Sequence, residues 1–219
     1  MNTQIQEAGD RKVKTVSRGP QKRAEETRES LIALAIERFS TLGYDGVSVR
    51  ALESDAGVQR GAVAYHFDTK ETLWKRAVDR IAEQFATHFA PLEPIIRDLE
   101  VEDGLRAGIA AFVRFSAEQP ELNRLMVQEG RHDSWRLTYI VDAFVAQRHE
   151  WFEDVFEMLS DPHTYYIMIG SASFVFDVEH ECRRLFGVDP TSDEFIREHA
   201  ARVADMMITA RRDSNPSKG

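Results

Sequence analysis

The sequence predicts an all-α protein, and three observations lead to that prediction. Apolar residues recur at spacings of three and four through most of the chain, which is the period of a helix with one buried face. No stretch alternates between apolar and polar residues in the way that a half-buried strand does. Glycine and proline fall between the periodic segments, for example at Gly43, Gly57 and Pro120, where they begin or end helices.

Composition narrows the classes of protein further. The chain has 219 residues, of which 42% are hydrophobic, enough for one large domain or two smaller ones. Cys182 is the single cysteine, so an internal disulfide is excluded and a reducing compartment, the cytoplasm, is expected. The sequence lacks both a run of about 18 apolar residues and the apolar segment of a signal peptide, so we expect no membrane partner.

The charge is distributed unevenly along the chain. A net charge of −9 argues against a nucleic-acid partner when it is taken alone. Residues 11–23 nevertheless contain six basic residues and no acid: Arg11, Lys12, Lys14, Arg18, Lys22 and Arg23. We expect residues 1–23 to form a disordered arm, because little in them is able to pack. This arm is either a solvated tail or a segment that follows the phosphate backbone of DNA.

Residues 48–67 are typical of two short helices joined by a tight turn. Ser48 is suited to cap the first helix, because its hydroxyl accepts from a free backbone N–H one turn later. Gly57 lies where that helix must end, since glycine enters the left-handed conformation at little cost.

The second helix of this pair has an apolar inner face and a polar, cationic outer face. We expect Gln59 and Arg60 to open it, with Val63 and Phe67 facing inward. This arrangement is typical of a helix-turn-helix, whose second helix enters the DNA major groove by its N-terminal end. The spacing alone also fits a short helical hairpin on the surface of an all-α protein.

The same stretch and its flanks resemble the tetracycline-repressor (TetR) family of transcriptional regulators. The resemblance covers roughly residues 23–85. It rests on several motifs at fixed spacing: Phe39-Ser-Thr-Leu-Gly43-Tyr-Asp-Gly46, Ser48-Val-Arg50, Gly57-Val58, Tyr65-His66-Phe67 and Lys70-Glu71-Thr-Leu73. Family membership implies an N-terminal DNA-binding domain of three helices, a C-terminal helical domain that binds a small molecule, and a homodimer.

The resemblance also implies roles for individual residues. Five residues would face the edges of bases: Arg50, Gln59, Arg60, Gly61 and Ala62. Four would hold phosphates: Ser48, Tyr65, His66 and Lys70. Arg60 is expected to make the strongest specific contact, because a guanidinium bridges O6 and N7 of guanine.

Two positions depart from the family pattern. Ala64 stands where the family usually has an aromatic residue, which removes an expected contact to phosphate or to a thymine methyl. Glu53 stands where a small residue is usual, so its carboxylate must lie either near DNA or in a contact between helices.

Four segments are expected along the chain. They are the basic arm over residues 1–23, a helix-turn-helix domain over residues 24–88 with its motif at 47–67, a helical regulatory and dimerisation domain over residues 89–213, and a tail over residues 214–219. Apolar spacing predicts a first helix over residues 24–42 and later helices over 101–118, 121–129, 134–159 and 162–185. Thr69 is expected to cap the fourth helix, and a capping box of Thr191 and Glu194 to start the last one.

Large aromatic side chains are frequent in the second half of the chain. They are core residues first, and they also suit a pocket for a flat or apolar effector of unknown identity. The candidate ligand-binding residues are Phe112, Phe115, Glu129, Trp135, Tyr139, Trp151 and Phe174. No set of metal ligands, nucleophile elbow or phosphate-binding loop is present, so we expect no cofactor, no metal and no enzymatic activity.

The last two long helices are candidates for the dimer interface. The helix over residues 162–185 is apolar on several sides, and residues 194–210 carry a second apolar stripe in Phe195, His199, Val203 and Met206. The sequence thus predicts a dimeric repressor that binds an inverted-repeat operator and is released by a small molecule. The alternatives are a helical enzyme or a protein-interaction module that binds no specific DNA.

Overall fold

The computed structural model describes residues 19–145 and 159–214, and every regular element in these ranges is a helix. The eleven helices are α1 (Pro20–Gly46), α2 (Val49–Asp55), α3 (Ala62–Phe67), α4 (Lys70–Phe89), α5 (Glu93–Asp98), α6 (Val101–Glu118), α7 (Glu121–Glu129), α8 (Trp135–Val145), α9 (Pro162–Asp177), α10 (Glu179–Phe186) and α11 (Asp193–Ser214). The all-α prediction is confirmed. None of these helices is long and apolar enough to cross a membrane.

Helices α1 to α4 form an N-terminal bundle around one apolar core. The core side chains with almost no exposure include Leu31, Phe39, Leu52, Val63, Phe67, Leu73 and Trp74. Trp74, the largest of them, is completely buried. The short helices α2 and α3 each contribute only a few of these side chains, so packing against α1 and α4 holds them in place.

Helix α1 is longer than the sequence predicted. It begins at Pro20, whose fixed φ suits the first helical position, so residues 20–23 are helical although we expected them in the arm. At the other end the helical pattern continues past Leu42 to Gly46, with a kink at Gly43, where φ is +70°. Residues 1–18, which hold most of the predicted arm, lie outside the described residues.

Helices α5 to α11 form a C-terminal bundle in which α6 is central. Helix α11 packs along α6, and α9 packs against both. Their shared core includes Leu105, Ile109, Val113, Ala172, Phe176, Val203 and Met207. Val203, which we assigned to the dimer face, is only 4% exposed and belongs to this core. That assignment was wrong because α11 is amphipathic toward α6, and the periodic stripe marks this internal contact.

The boundaries of the later helices are partly as predicted. Helices α6 and α7 have the bounds that the apolar spacing gave. The helix expected over residues 162–185 is instead broken at Val178, which has a non-helical ψ of 33°. The predicted helix over 134–159 is described only as α8, and residues 146–158 lie outside the described ranges.

The predicted capping box at the start of α11 is wrong. Ser192 Oγ accepts the backbone N–H of Phe195 at 3.3 Å and therefore caps the helix. Thr191 donates both its N–H and its hydroxyl to Asp189 Oδ1, at 3.0 and 2.7 Å. Thr191 thus belongs to the preceding turn, because the aspartate two residues earlier offers a closer acceptor for both of its donors.

Helices α7 and α8 join the two bundles. Leu125 of α7 is buried in the N-terminal core, and Gln128 Nε2 donates to the backbone oxygen of Ser40 at 2.6 Å. On α8, the Tyr139 hydroxyl donates to Asp79 Oδ1 of α4 at 2.7 Å. These contacts tie the C-terminal bundle to α1 and α4.

Candidate nucleic-acid interface and cavity

The predicted helix-turn-helix is present and begins with the expected cap. Ser48 Oγ accepts the backbone N–H of Ala51 at 3.4 Å, which starts α2. Gly57 ends the helix in the left-handed conformation, with φ at +65°. The turn is then closed by a hydrogen bond from the Val58 N–H to the Glu53 carbonyl at 3.1 Å. These features follow directly from the residues that the sequence places at the two ends of α2.

The second helix starts later than predicted. Helix α3 begins at Ala62, and Gln59 and Arg60 lie in the turn before it. The cause is Gly61, whose φ of +91° cannot continue a helix and which therefore becomes the N-cap. Arg60 consequently projects from a turn rather than from the first helical turn.

The predicted base-facing and phosphate-holding residues remain accessible to solvent. The exposed ones are Ser48, Arg50, Gln59, Arg60, Gly61 and Tyr65, and the half-buried ones are Ala62, His66 and Lys70. Tyr65 is 80% exposed although it is aromatic. Behind them Val63 and Phe67 are buried in the N-terminal core. The motif therefore leaves polar and cationic side chains accessible over an apolar base, as a helix that enters the major groove requires.

Lys70 has a partner that the sequence did not reveal. Its Nζ lies 4.3 Å from the centre of the Tyr44 ring, and the guanidinium of Arg136 lies 4.9 Å from the same ring. Partial burial lowers the pKa of Lys70 from its usual value. The cation is therefore held at the N-terminus of α4 by a cation–π contact, close to the helix-turn-helix motif.

Replacement of Lys70 by glutamine tests whether this cation holds a phosphate. We expect Lys70→Gln to weaken binding to operator and random duplexes alike and to reduce the salt slope by about one. The measurement is fluorescence anisotropy of labelled duplexes over a salt series. Arg97→Gln, at an exposed position on α5, is the matched control and should change neither quantity. A selective loss of operator affinity would contradict the phosphate role.

The sequence left open whether the Glu53 carboxylate lies near DNA or between two helices, and the structure decides this. Its side chain is 5% exposed, and Oε1 accepts the backbone N–H groups of Gly61 at 3.0 Å and Val63 at 2.9 Å. The carboxylate therefore lies in the contact between α2 and α3, not on the DNA side. Its position among the apolar residues of α2 was the signal in the sequence.

A partly open cavity of about 1040 Å³ lies between the C-terminal bundle and α4. Aromatic and aliphatic side chains from α4 to α9 dominate its wall: Phe85, Phe89, Phe112, Phe115, Leu122, Met126, Leu137, Val141, Phe144, Tyr165, Ile169 and Phe174. Three of the predicted ligand-binding residues, Phe112, Phe115 and Phe174, are among them. A concave, mostly apolar space of this size is typical of a site for a small molecule.

Three other predicted ligand-binding residues, Glu129, Trp135 and Tyr139, do not line this cavity. Trp135 and Tyr139 lie on the opposite side of α8, where their rings are 5.2 and 5.9 Å from the ring of Trp74. Glu129 is buried and forms an ion pair with Arg136, in which Nε of Arg136 lies 2.7 Å from Oε2 of Glu129. Trp151 lies outside the described residues. The count of aromatic residues indicated a pocket, but it did not show which side of α8 faces it.

Tyr139 is held firmly in this second aromatic cluster. Burial, together with its hydrogen bond to Asp79, raises the pKa of Tyr139 to about 12, so its hydroxyl stays a donor at neutral pH. Within residues 19–145 and 159–214, no three His, Cys, Asp or Glu side chains converge to hold a metal ion.

Comparison with known proteins identifies the motif. Residues 31–77 match the family model of the bacterial regulatory proteins of the tetR family. An HTH-type transcriptional regulator of Staphylococcus aureus (strain USA300) is 22% identical over 166 residues, which cover 73% of this chain and 86% of that protein. The HTH-type transcriptional regulator SrpR of Pseudomonas putida is 26% identical over 133 residues, covering 58% of this chain and 60% of SrpR.

Solved structures share the fold over most of the chain. HlyIIR, a hemolysin II transcriptional regulator, superposes with a TM-score of 0.58 at 19% identity, covering 84% of this chain and 97% of HlyIIR. A TetR transcriptional regulator from Chloroflexus aurantiacus J-10-FL also gives 0.58 at 18% identity, covering 85% and 96% of the two chains. The match of residues 31–77, the curated relatives and the common fold together support a DNA-binding transcriptional regulator similar to those of the tetR family.

Proposed function

We propose that the protein is a repressor that binds an inverted-repeat operator as a homodimer in the cytoplasm and is released by a small molecule. The observation that supports this most strongly is the position of α7 and α8. One side of each helix lines the cavity, and the other side contacts α1 or α4.

Neighbouring residues on α7 contact the N-terminal bundle and the cavity. Leu125 packs in the N-terminal core, and Met126 packs against that core and also lines the cavity. Gln128 donates to α1, and Val127 lines the cavity. A ligand that displaces the cavity side of α7 therefore moves the helix against α1. Binding of the ligand and binding of DNA then favour two different positions of α7. This difference couples the two distinct sites.

The cavity favours an apolar effector. Among its described lining residues, the charged side chains are Glu93 and Arg131, and Glu93 is already paired with Arg97. The polar residues that remain include Ser116 and Asn123. An uncharged molecule with aromatic rings and few hydrogen-bonding groups suits this wall, because a buried charge without a partner is costly.

The proposed homodimer uses the exposed apolar side chains of α9 and α11. Ile167 on α9 is 53% exposed and Met206 on α11 is 41% exposed, and Tyr166 and Phe174 on α9, which also line the cavity, are 73% and 60% exposed. A patch of this kind buries itself when the same patch of a second copy meets it across a two-fold axis. The two helix-turn-helix motifs then face half-sites about one helical turn apart, or a multiple of it.

Filling the cavity tests the proposed release. Ser116 lines the cavity and is 5% exposed, so Ser116→Phe should occupy space that an effector needs. We expect this variant to bind operator as the parent does and to stay bound when an effector, found by screening apolar compounds against the parent–operator complex, is added. Fluorescence anisotropy of labelled operator measures both the operator affinity and the release by the effector.

Ala110→Phe is the matched control for the cavity experiment. Ala110 lies on the same helix, α6, at an exposed position that does not line the cavity. This variant should respond to the effector normally. If Ser116→Phe and Ala110→Phe release operator at the same effector concentration, the cavity is not the effector site.

A further inference from the structure

Helix α3 has no side chain of its own to cap its N-terminus. The N-cap residue is Gly61, which has no side chain to act as acceptor, and the turn before it accepts the N–H of Ala62 through the Gln59 carbonyl at 3.1 Å. The first backbone N–H groups of any helix lack partners within the helix and need acceptors from elsewhere. With only six residues, α3 depends strongly on such acceptors, because a helix this short is unstable alone.

Glu53 supplies the acceptor from the preceding helix. One oxygen, Oε1, accepts the N–H of Gly61 and the N–H of Val63, at 3.0 and 2.9 Å. This oxygen takes the place of the N-cap side chain that Gly61 lacks, because it accepts N–H groups that have no acceptor within the helix. Since the side chain is 5% exposed, water does not compete for these hydrogen bonds.

The backbone of Glu53 holds the same turn from its other end. Its carbonyl oxygen accepts the N–H of Val58 at 3.1 Å. Residues 58–61 are therefore fixed to one residue of α2 at both ends. Arg60 lies between these anchors, directly beside the bonded N–H of Gly61, although its own side chain is exposed.

We propose that Glu53 is a positioning residue that determines DNA specificity without contacting DNA. It fixes the turn of residues 59–61 against α2, and so sets the direction from which Arg60 reaches the base edges. This inference rests on the proposed function, in which Arg60 contacts the base edges of the operator. Phosphate contacts tolerate small shifts, whereas a bidentate contact to a base does not, so a loose turn costs operator affinity more than general DNA affinity.

Three replacements separate the acceptor of Glu53 from its charge. Glu53→Gln keeps an oxygen at the same reach but removes the charge. Glu53→Asp keeps the charge but is one methylene shorter, which withdraws the oxygen from Gly61 and Val63. Glu53→Ala removes both. Asp161→Ala is the matched control, because Asp161 Oδ2 caps α9 by accepting the Thr164 N–H at 2.8 Å, far along the chain from the motif.

The experiment measures the affinity of each variant for its selected operator and for a random duplex at one salt concentration. We expect Glu53→Ala and Glu53→Asp to lower the ratio of operator to random affinity about tenfold, as leaving buried donors unsatisfied implies. Glu53→Gln should keep the parent ratio within about twofold, because its oxygen still accepts both N–H groups. Asp161→Ala should keep the ratio as well.

Hydrogen exchange gives an independent reading in the absence of DNA. The amides of Gly61 and Val63 should exchange faster in Glu53→Asp than in Glu53→Gln. If Glu53→Asp keeps the parent ratio, or Glu53→Gln loses it, the inference is overturned. If Glu53→Ala does not fold, the comparison of Glu53→Asp with Glu53→Gln decides. A parent protein that shows no preference for any duplex would instead overturn the proposed function.

Discussion

Ile167→Asp is expected to run as a monomer and to lose operator binding, although every residue of the helix-turn-helix is intact. Ile167 is 53% exposed on α9 and does not line the cavity. In the proposed dimer it would be covered by the second copy, so an aspartate there is buried without a partner and costs about 3–5 kcal/mol of association. A monomer holds one half-site only, and the affinity gained by binding both half-sites is lost.

Ile95→Asp is the control for this prediction. Ile95 is the same residue type with a similar exposure of 55%, but it lies on α5, which is not part of the proposed dimer face of α9 and α11. It should remain dimeric and bind operator. Sedimentation velocity at micromolar concentration, together with anisotropy of labelled operator, measures both properties. A dimeric Ile167→Asp protein that binds operator as the parent does would exclude α9 from the interface.

Arg60→Ala is expected to cost about 1–3 kcal/mol of binding free energy at the operator and to relax the preference at one base pair in each half-site. Arg60 is exposed in the turn that precedes α3, and its guanidinium is suited to bridge O6 and N7 of guanine. Binding to random duplexes should fall much less, because the phosphate contacts remain. Operator variants with each base pair replaced in turn show where the preference is lost.

Arg106→Ala is the control for Arg60→Ala. Arg106 is an exposed arginine on α6, where it pairs with Asp205 of α11 at 2.6 Å, and its removal changes the same charge without touching the motif. It should leave the order of preferred base pairs unchanged. If Arg60→Ala discriminates among the operator variants exactly as Arg106→Ala does, Arg60 reads no base.

Strong local signals allowed much of the fold to be predicted from the sequence. Ser48, Gly57 and Thr69 act at the helix ends where they were expected, because caps and left-handed turns depend on the residue itself. The bounds of α6 and α7 were equally clear, since each helix has a regular apolar stripe. In these places local chemistry and tertiary packing favour the same structure.

The features that sequence analysis missed depend on which side of a helix meets which neighbour. Val203 has the spacing of an interface residue, but the surface that it meets is α6 of the same chain. Trp135 and Tyr139 are one turn apart and share a side of α8, and only the packed structure shows that this side faces Trp74 instead of the cavity. The apolar spacing shows which face of a helix is buried. Which neighbouring helix covers that face is decided by the tertiary packing.

Glu53 shows how a departure from a family pattern becomes informative. A carboxylate at an interior position is unfavourable unless it has hydrogen-bond donors. The donors here are the N–H groups of Gly61 and Val63, and the Val63 N–H needs an acceptor from another helix because Gly61 has no side chain to cap α3. The carboxylate of Glu53 on α2 thus supplies the acceptor that Gly61, the residue before α3, lacks.

Selection of binding sites from a pool of random duplex DNA tests the central claim most directly. The full-length protein is mixed with the pool, the bound fraction is amplified and sequenced, and the cycle is repeated at fixed salt. The account predicts enrichment of one sequence made of two inverted half-sites, with centres about one helical turn or a multiple of it apart. Recovery of unrelated sequences, or of a single half-site without its inverted partner, would contradict a dimeric, sequence-specific DNA-binding regulator.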